Sequence, residues 1–257
     1  MKILITGAFP LTEIEKEELE NAGHQVFFQQ QESEITDDPN IYDAVVCNAL
    51  FQFNPIEAFS SLKIIQLTSA GLDRVPMEYI RAHGIELYNA SGVYSVPMAE
   101  FAIGGILQLY KHSRELHDSQ REHRWIKQRN LLELSEKTVC IVGTGDVGCE
   151  IAKRLSAFGC HVIGVNRTVR SVSGFDEIHP LTELLSVSKR AKIMVCSLAL
   201  TNETRGLIGR DVFDVLPDGA VFVNISRGAL VDEPSLIAWL RSERSFGAVL
   251  DVFETEP

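Results

Sequence analysis

At 257 residues and 45% hydrophobic content, the chain can bury a full core as one large α/β domain or two smaller ones, so disorder is not expected. A formal net charge of −11 argues against non-specific binding to nucleic acid and to anionic membranes. It does not argue against a small anion, because one arginine inside a cleft outweighs a distant surface field. No apolar run reaches the ~18 residues of a membrane-spanning helix, and Met1 to Gly7 lacks the features of a secretory leader, so a cytoplasmic protein is expected.

In chain order, short apolar runs at Ile3 to Thr6, Gln25 to Phe28, Ala44 to Cys47, Lys63 to Thr68 and Ile85 to Tyr88 have strand length. Between the first two, Thr12 and Glu15 form a candidate capping box, with Ile14, Leu19 and Ala22 as an inner helix face and Gly23 as a stop. Alternating strands and helices imply a parallel sheet covered on both sides, because each crossover needs a helix. Residues 1–93 therefore read as a small open α/β domain.

From Pro97 to about His123 the spacing suggests one helix, apolar through Leu109 and then crowded with charge. Its histidines, His112, His117 and His123, are expected to coat a helix surface. Trp125 and Ile126 beyond it suit a subunit or domain contact, or intrachain packing. A second, larger array begins at Lys137, with strands expected at Thr138 to Val142, His161 to Val165, Ile193 to Leu198, Ala220 to Ile225 and Phe246 to Val252. The fold class expected is thus α/β, with a doubly wound Rossmann-type domain over residues 94–257. The five cysteines (Cys47, Cys140, Cys149, Cys160, Cys196) form no close pair; those inside apolar runs behave as small hydrophobes, and packing is expected rather than thiol or metal chemistry.

The strongest local signal is Gly143-Thr144-Gly145-Asp146-Val147-Gly148, placed after a strand and opening a helix. Gly143 permits the tight turn, Gly145 clears space for a pyrophosphate, and Gly148 lets helix and sheet approach. The helix N-terminus then offers unpaired amides and a favourable dipole to the phosphates. Dinucleotide binding is expected, ahead of adenosyl-methionine binding or a merely structural turn. At the end of the next strand an NAD site usually places Asp or Glu on the ribose. Here Asn166 removes that charge, and Arg167, Thr168 and Arg170 suit a 2′-phosphate, so NADP is favoured over NAD; solvated arginines at a strand end are the plainer alternative.

After a later strand, Asn224-Ile225-Ser226-Arg227-Gly228 puts Arg227 where the carboxyl ends of parallel strands open onto a ligand crevice. Its planar fork suits the carboxylate and carbonyl of a 2-oxo acid, with a surface salt bridge as the alternative.

With these stretches in hand, the chain resembles the D-isomer-specific 2-hydroxyacid dehydrogenase family, which includes phosphoglycerate, glyoxylate and hydroxypyruvate reductases. The matching segments are Leu67 to Asp73, Gly143 to Gly148, Ser197 to Thr204, Ile225 to Glu233 and Gly247 to Pro257. The resemblance implies a flavodoxin-like substrate domain and a nucleotide domain, hydride transfer between NAD(P)H and a small 2-oxo or D-2-hydroxy acid, and a homodimer. It implies that main-chain amides of Ala70 and Gly71 hold the substrate carboxylate, that Arg227 and Glu256 are catalytic, and that Asp251 lies by the nicotinamide amide. Ser197, Leu198, Ala199, Thr204, Ile225 and Ser226 fall in its cofactor-contacting stretches, as do Asp146 and Val147 in the glycine turn. Ala199 stands where the family usually has proline. Leu50, Phe51 and Tyr94 are candidate lining for the substrate side chain, or ordinary packing.

One departure stands out. Family members carry a catalytic histidine in a Pro-His pair after the glutamate, whereas the seven histidines here all precede Arg227. Without a proton donor, turnover is expected to fall by roughly 10²- to 10⁴-fold even though a nucleotide still binds. Such a chain suits a truncated or weakly active reductase, or alternatively a non-enzymatic dinucleotide sensor.

Overall fold

In the computed structural model, which describes residues 1–256, the apolar runs before Val93 form a 5-stranded sheet. Its strands are β1 (Lys2–Thr6), β2 (Gln25–Gln29), β3 (Ala44–Cys47), β4 (Ile64–Leu67) and β5 (Glu86–Tyr88). All pair in parallel in the order β2-β1-β3-β4-β5, the flavodoxin-like arrangement. Leu4, Val45, Ile65 and Leu67 are buried with Tyr42, Leu50 and Phe59 on one face. The helices are α1 (Glu13–Asn21), α2 (Leu50–Phe53) and α3 (Met77–Ala82). The capping box forms: Glu15 N donates to Thr12 Oγ1 (3.3 Å), and Thr12 N donates to Glu15 Oε2 (2.9 Å). The expected inner face does not. Ile14 is 70% exposed and only Leu19 packs, because α1 is short and touches the sheet over little of its length.

A separate compact unit runs from Tyr94 onward. Its helices are α4 (Ser95–Tyr110), α5 (Ser113–Arg121), α6 (Asp146–Ala157), α7 (Leu184–Ser188), α8 (Arg210–Val215) and α9 (Glu233–Arg241). Strands β6 (Thr138–Val142), β7 (His161–Asn166), β8 (Glu177–Pro180), β9 (Ile193–Cys196), β10 (Ala220–Asn224) and β11 (Ser245–Leu250) make a 6-stranded parallel sheet. The order β11-β10-β9-β6-β7-β8 is that of the doubly wound dinucleotide fold. Both faces are covered: Val139 and Ile141 enter one buried cluster with α4 and α6, while Cys140 and Val142 enter another with α7, α8 and α9. That burial on alternate sides is why these strands read as continuous apolar runs. Cys47, Cys140, Cys160 and Cys196 are buried and unbridged, and Cys149 is half-buried. Among the described residues no helix is long and apolar enough to cross a membrane.

The single helix expected between Pro97 and His123 is instead two. α4 buries Ala99, Ala102, Ile103, Ile106 and Tyr110, whereas α5 buries only Ser119. The break falls where the apolar face runs out, and His112 takes a left-handed conformation (φ 50°). His112 therefore sits in the joint, edge-on to Phe246 at 5.9 Å, rather than coating a surface. Trp125 beyond α5 is 86% exposed.

Edge strand β8 has no apolar signature and is held by charge. Glu177 accepts bonds from Nη1 and Nη2 of Arg190, from His179 Nε2 (2.8 Å) and from His161 Nε2 (2.7 Å). Those donors, led by Arg190, hold the Glu177 carboxyl well below the usual carboxylate range. Its carboxylate and that of Glu183 raise the pKa of His179.

Candidate active site

Three glycines shape the turn between β6 and α6, and they do so for different reasons. Gly143 has φ 109°, and a Cβ there would lie 2.7 Å from Leu198 N and Ser197 C. At Gly148 a Cβ would meet Gly143 O at 2.1 Å, so helix and turn touch only because it is absent. At Gly145, by contrast, an added Cβ meets no protein atom within 4 Å, and its backbone (φ −81°, ψ −166°) is open to any residue. Among the described residues nothing requires that glycine. Gly145 opens α6 without a side-chain cap, leaving first-turn amides facing the cleared space. The residues present thus fit the pyrophosphate of a dinucleotide.

Around this turn the polar side chains fasten loops. Ser197, just past β9, donates to Gly143 O (2.9 Å). Asn166 at the end of β7 donates to Thr144 Oγ1 (2.7 Å) and accepts from Arg167 N (2.9 Å). Arg167 lies 3.7 Å from Glu203 in an exposed pair, and Thr168 is exposed beside it. Thr204 is buried, accepting from Thr201 N (2.8 Å) and donating to Ala199 O (2.9 Å), so it sets the shape of the loop that carries Leu198 and Ala199. Asp146 and Gly145 are exposed at the helix start, with Val147 half-buried behind them.

A second loop follows β10. Arg227, half-buried, donates through Nη1 to Ser226 O (2.9 Å). Gly228 is required by close packing: a Cβ there would lie 1.9 Å from Phe253 C and O and 2.3 Å from Glu254 N. The strand of chain that leaves β11 therefore crosses directly over Gly228, bringing Arg227 and the Asp251–Glu256 segment together. Asp251 is exposed, and its amide donates to Asn224 O (3.0 Å). Glu256 Oε1 accepts from Phe253 N (3.2 Å), and among the described residues no histidine bonds to it. Pro257, the last residue of that motif, lies outside the described residues. The Ile225 side chain is in the core, 1% exposed, so only its backbone can face a ligand.

In the first unit, Ala70 and Gly71 form the turn after β4. Asn89 donates to Ala70 O (2.8 Å), Ser69 donates to Gly71 O (3.3 Å), and Ala90 N donates to Ser69 O (3.0 Å). Leu50, a candidate for pocket lining, is fully buried in the core and Phe51 is half-buried. Sequence reasoning overlooked Glu32, whose carboxylate accepts from Thr6 Oγ1 (2.8 Å) and from the amides of Asn48 and Ala49 (2.7 Å each). It also overlooked Asn224, a buried amide at the end of β10. Neither belongs to a glycine or charge pattern that a sequence displays.

A glycine turn and uncapped helix at the switch point of a doubly wound parallel sheet define a Rossmann-type dinucleotide-binding domain, here with an arginine–acid loop at the carboxyl ends of its last strands. Residues 103–257 match the family model described as D-isomer specific 2-hydroxyacid dehydrogenase, NAD binding domain. The chain belongs to that family. It is 34% identical over 204 residues to glyoxylate/hydroxypyruvate reductase A of Arabidopsis thaliana, covering 79% of this chain and 64% of the relative. It is 32% identical over 207 residues to D-3-phosphoglycerate dehydrogenase of Methanocaldococcus jannaschii, covering 79% of this chain and 39% of that one. The match thus spans less than two-thirds of either relative. Among solved structures, the NADPH-dependent glyoxylate/hydroxypyruvate reductase of Sinorhizobium meliloti with NADP and malonate superposes with a TM-score of 0.84 at 27% identity, covering 100% of this chain and 80% of that chain.

Proposed function

We propose that the protein is an oxidoreductase acting between a nicotinamide dinucleotide and a small 2-oxo or D-2-hydroxy acid. The observation that carries this reading is the crossing at Gly228, which joins Arg227 to the Asp251–Glu256 segment at the same end of the sheet as the Gly143–Gly148 turn. A bound dinucleotide supplies or accepts the hydride. The amides at Gly145, Asp146 and Val147, beside Gly148, hold its pyrophosphate, and the loops carrying Ser197 to Ala199, with Thr204 behind them, and Ile225 to Ser226 line it. Asp251 receives the nicotinamide amide. Arg227 grips the acid and polarises its carbonyl, and in the first unit, taken by itself, the amides of Ala70 and Gly71 suit a carboxylate. Glu256 would suit the orienting of an imidazole acid–base, but among the described residues no histidine bonds to it, so the residues present carry binding of the dinucleotide and the acid rather than the proton transfer.

Oxamate, an unreactive mimic of a 2-oxo acid, is the direct probe. It should bind the NADH- or NADPH-loaded protein and not the free protein, and Arg227→Ala should weaken it by ~10²-fold or more. Equal binding with and without dinucleotide would contradict the reading.

NADP is the proposed cofactor form, because Asn166 carries no charge and Arg167, exposed and only loosely paired, can turn to a 2′-phosphate. Calorimetry should give tighter NADPH than NADH binding, with Arg167→Ala narrowing the gap; tighter NADH contradicts it. A homodimer is proposed through α4, α5 and the exposed Trp125 and Ile126. Light scattering should then show twice the chain mass, falling in Trp125→Ala. The unbridged cysteines support a reducing, cytoplasmic setting, to be checked by fractionation.

A further inference from the structure

Asn224 ends β10 and is 2% exposed. Its Oδ1 accepts from Ser226 N (3.1 Å) and from Ser226 Oγ (3.0 Å), and its Nδ2 donates to Arg227 O (3.0 Å). One amide therefore closes the turn from 224 to 227 and uses both its acceptor and its donor to do so. No carboxylate, hydroxyl or hydrocarbon of that size supplies both at once with the same reach. Arg227 in turn donates from Nη1 to Ser226 O, so its guanidinium rests on the turn that Asn224 closes. On the other side, the Asn224 main-chain carbonyl accepts from Asp251 N, tying the turn to the segment that crosses Gly228.

We propose that Asn224 is a positioning residue for Arg227: its side-chain amide sets the turn that aims the guanidinium at the acid, without itself touching substrate or dinucleotide. The proposal rests on the reading of Arg227 as the group that grips a 2-oxo acid. Burial gives it force, since a misplaced donor or acceptor here finds no water to replace the lost bond.

Asn224→Asp is nearly isosteric. It keeps the acceptor for Ser226 and sets a second carboxylate oxygen against the Arg227 carbonyl, which must swing the turn. The test measures oxamate binding to NADPH-loaded protein in a cycle of four: the unaltered chain, Asn224→Asp, Arg227→Lys, and both together. Asn224→Asp is expected to weaken oxamate by ~10-fold or more alone, but by no more than about 2-fold in the Arg227→Lys background, where the bidentate grip is already lost. NADPH affinity should fall by less than oxamate affinity does, because Ile225 and Ser226 on the same turn also line the dinucleotide. Asn224→Ser, which keeps one donor and one acceptor on a shorter side chain, passes through the same cycle in case the aspartate does not fold. An equal loss in both backgrounds, or a matching loss of NADPH affinity, overturns the positioning role while leaving the function intact. No oxamate binding by the unaltered, NADPH-loaded protein overturns the functional reading first and this inference with it.

Discussion

The switch point of the first sheet lies between β1 and β3, and the chain fills it itself: the Glu32 carboxylate takes the Thr6 hydroxyl and the amides of Asn48 and Ala49. In the second sheet the corresponding place lies between β6 and β9, where α6 starts at Gly145 without a side-chain cap. The first helices repeat the contrast, since α1 is closed by Thr12 and Glu15 while α6 is not. Parallel sheets tend to build an anion-receptive crevice at this point. A resident carboxylate turns it into structure, and a glycine with nothing beside it keeps it for a ligand.

The contrast can be broken first at Gly228. Gly228→Ala places a methyl group within backbone atoms of Phe253 and Glu254, so a loss of about 3 kcal/mol or more is expected by denaturant unfolding, with oxamate binding abolished. Unchanged stability would mean that the crossing segment is loose and does not define the site. Next, Glu32→Ala strips the first crevice of its acceptor and leaves two amides and a buried hydroxyl to find others. It should cost about 2 kcal/mol and leave NADPH affinity untouched. A change in NADPH affinity would show that the filled crevice is not purely structural.

The smallest effect belongs to the edge of the second sheet. Glu177→Gln should cost about 1 kcal/mol near neutral pH, discounted for exposure. The folded Glu177 pKa is depressed, so its contribution is present above the ordinary carboxylate pKa and fades as pH falls through the lower, folded value. His179 runs the other way: its folded pKa is raised, so its contribution is full below the ordinary histidine value and is lost as pH rises through the folded one. Unfolding measured across pH should therefore show the variant converging on the parent at strongly acid pH. A constant difference down to that range would assign the effect to something other than ionisation.

What sequence alone makes legible follows from what kind of force builds each part. The strands of both sheets stand out because burial on one or both faces demands apolar runs, and the Gly143–Gly148 turn stands out because backbone approach demands glycine. β8 escapes notice because Glu177, His161, His179 and Arg190 hold it by charge. The α4–α5 break escapes because a helix end inside a continuous polar–apolar gradient leaves no glycine or proline to mark it; a left-handed His112 does the turning. Glu32 and Asn224 are invisible for another reason: each works by hydrogen bonds to backbone distant or folded back in sequence, and no spacing rule encodes that. Strand ends are blurred too, since Ser197 and Leu198 continue an apolar run but already belong to the loop after β9.

The central claim is that Gly145 is a glycine for the sake of a ligand, and Gly145→Ala isolates it because the added methyl meets no atom of the described residues within 4 Å. Thermal melting and NADPH and NADH calorimetry on both proteins decide the matter. The expected result is an unchanged melting temperature, with dinucleotide affinity in the variant reduced by ~10-fold or more. Equal affinity in the two proteins, or no uptake of either dinucleotide by the unaltered chain, would contradict it.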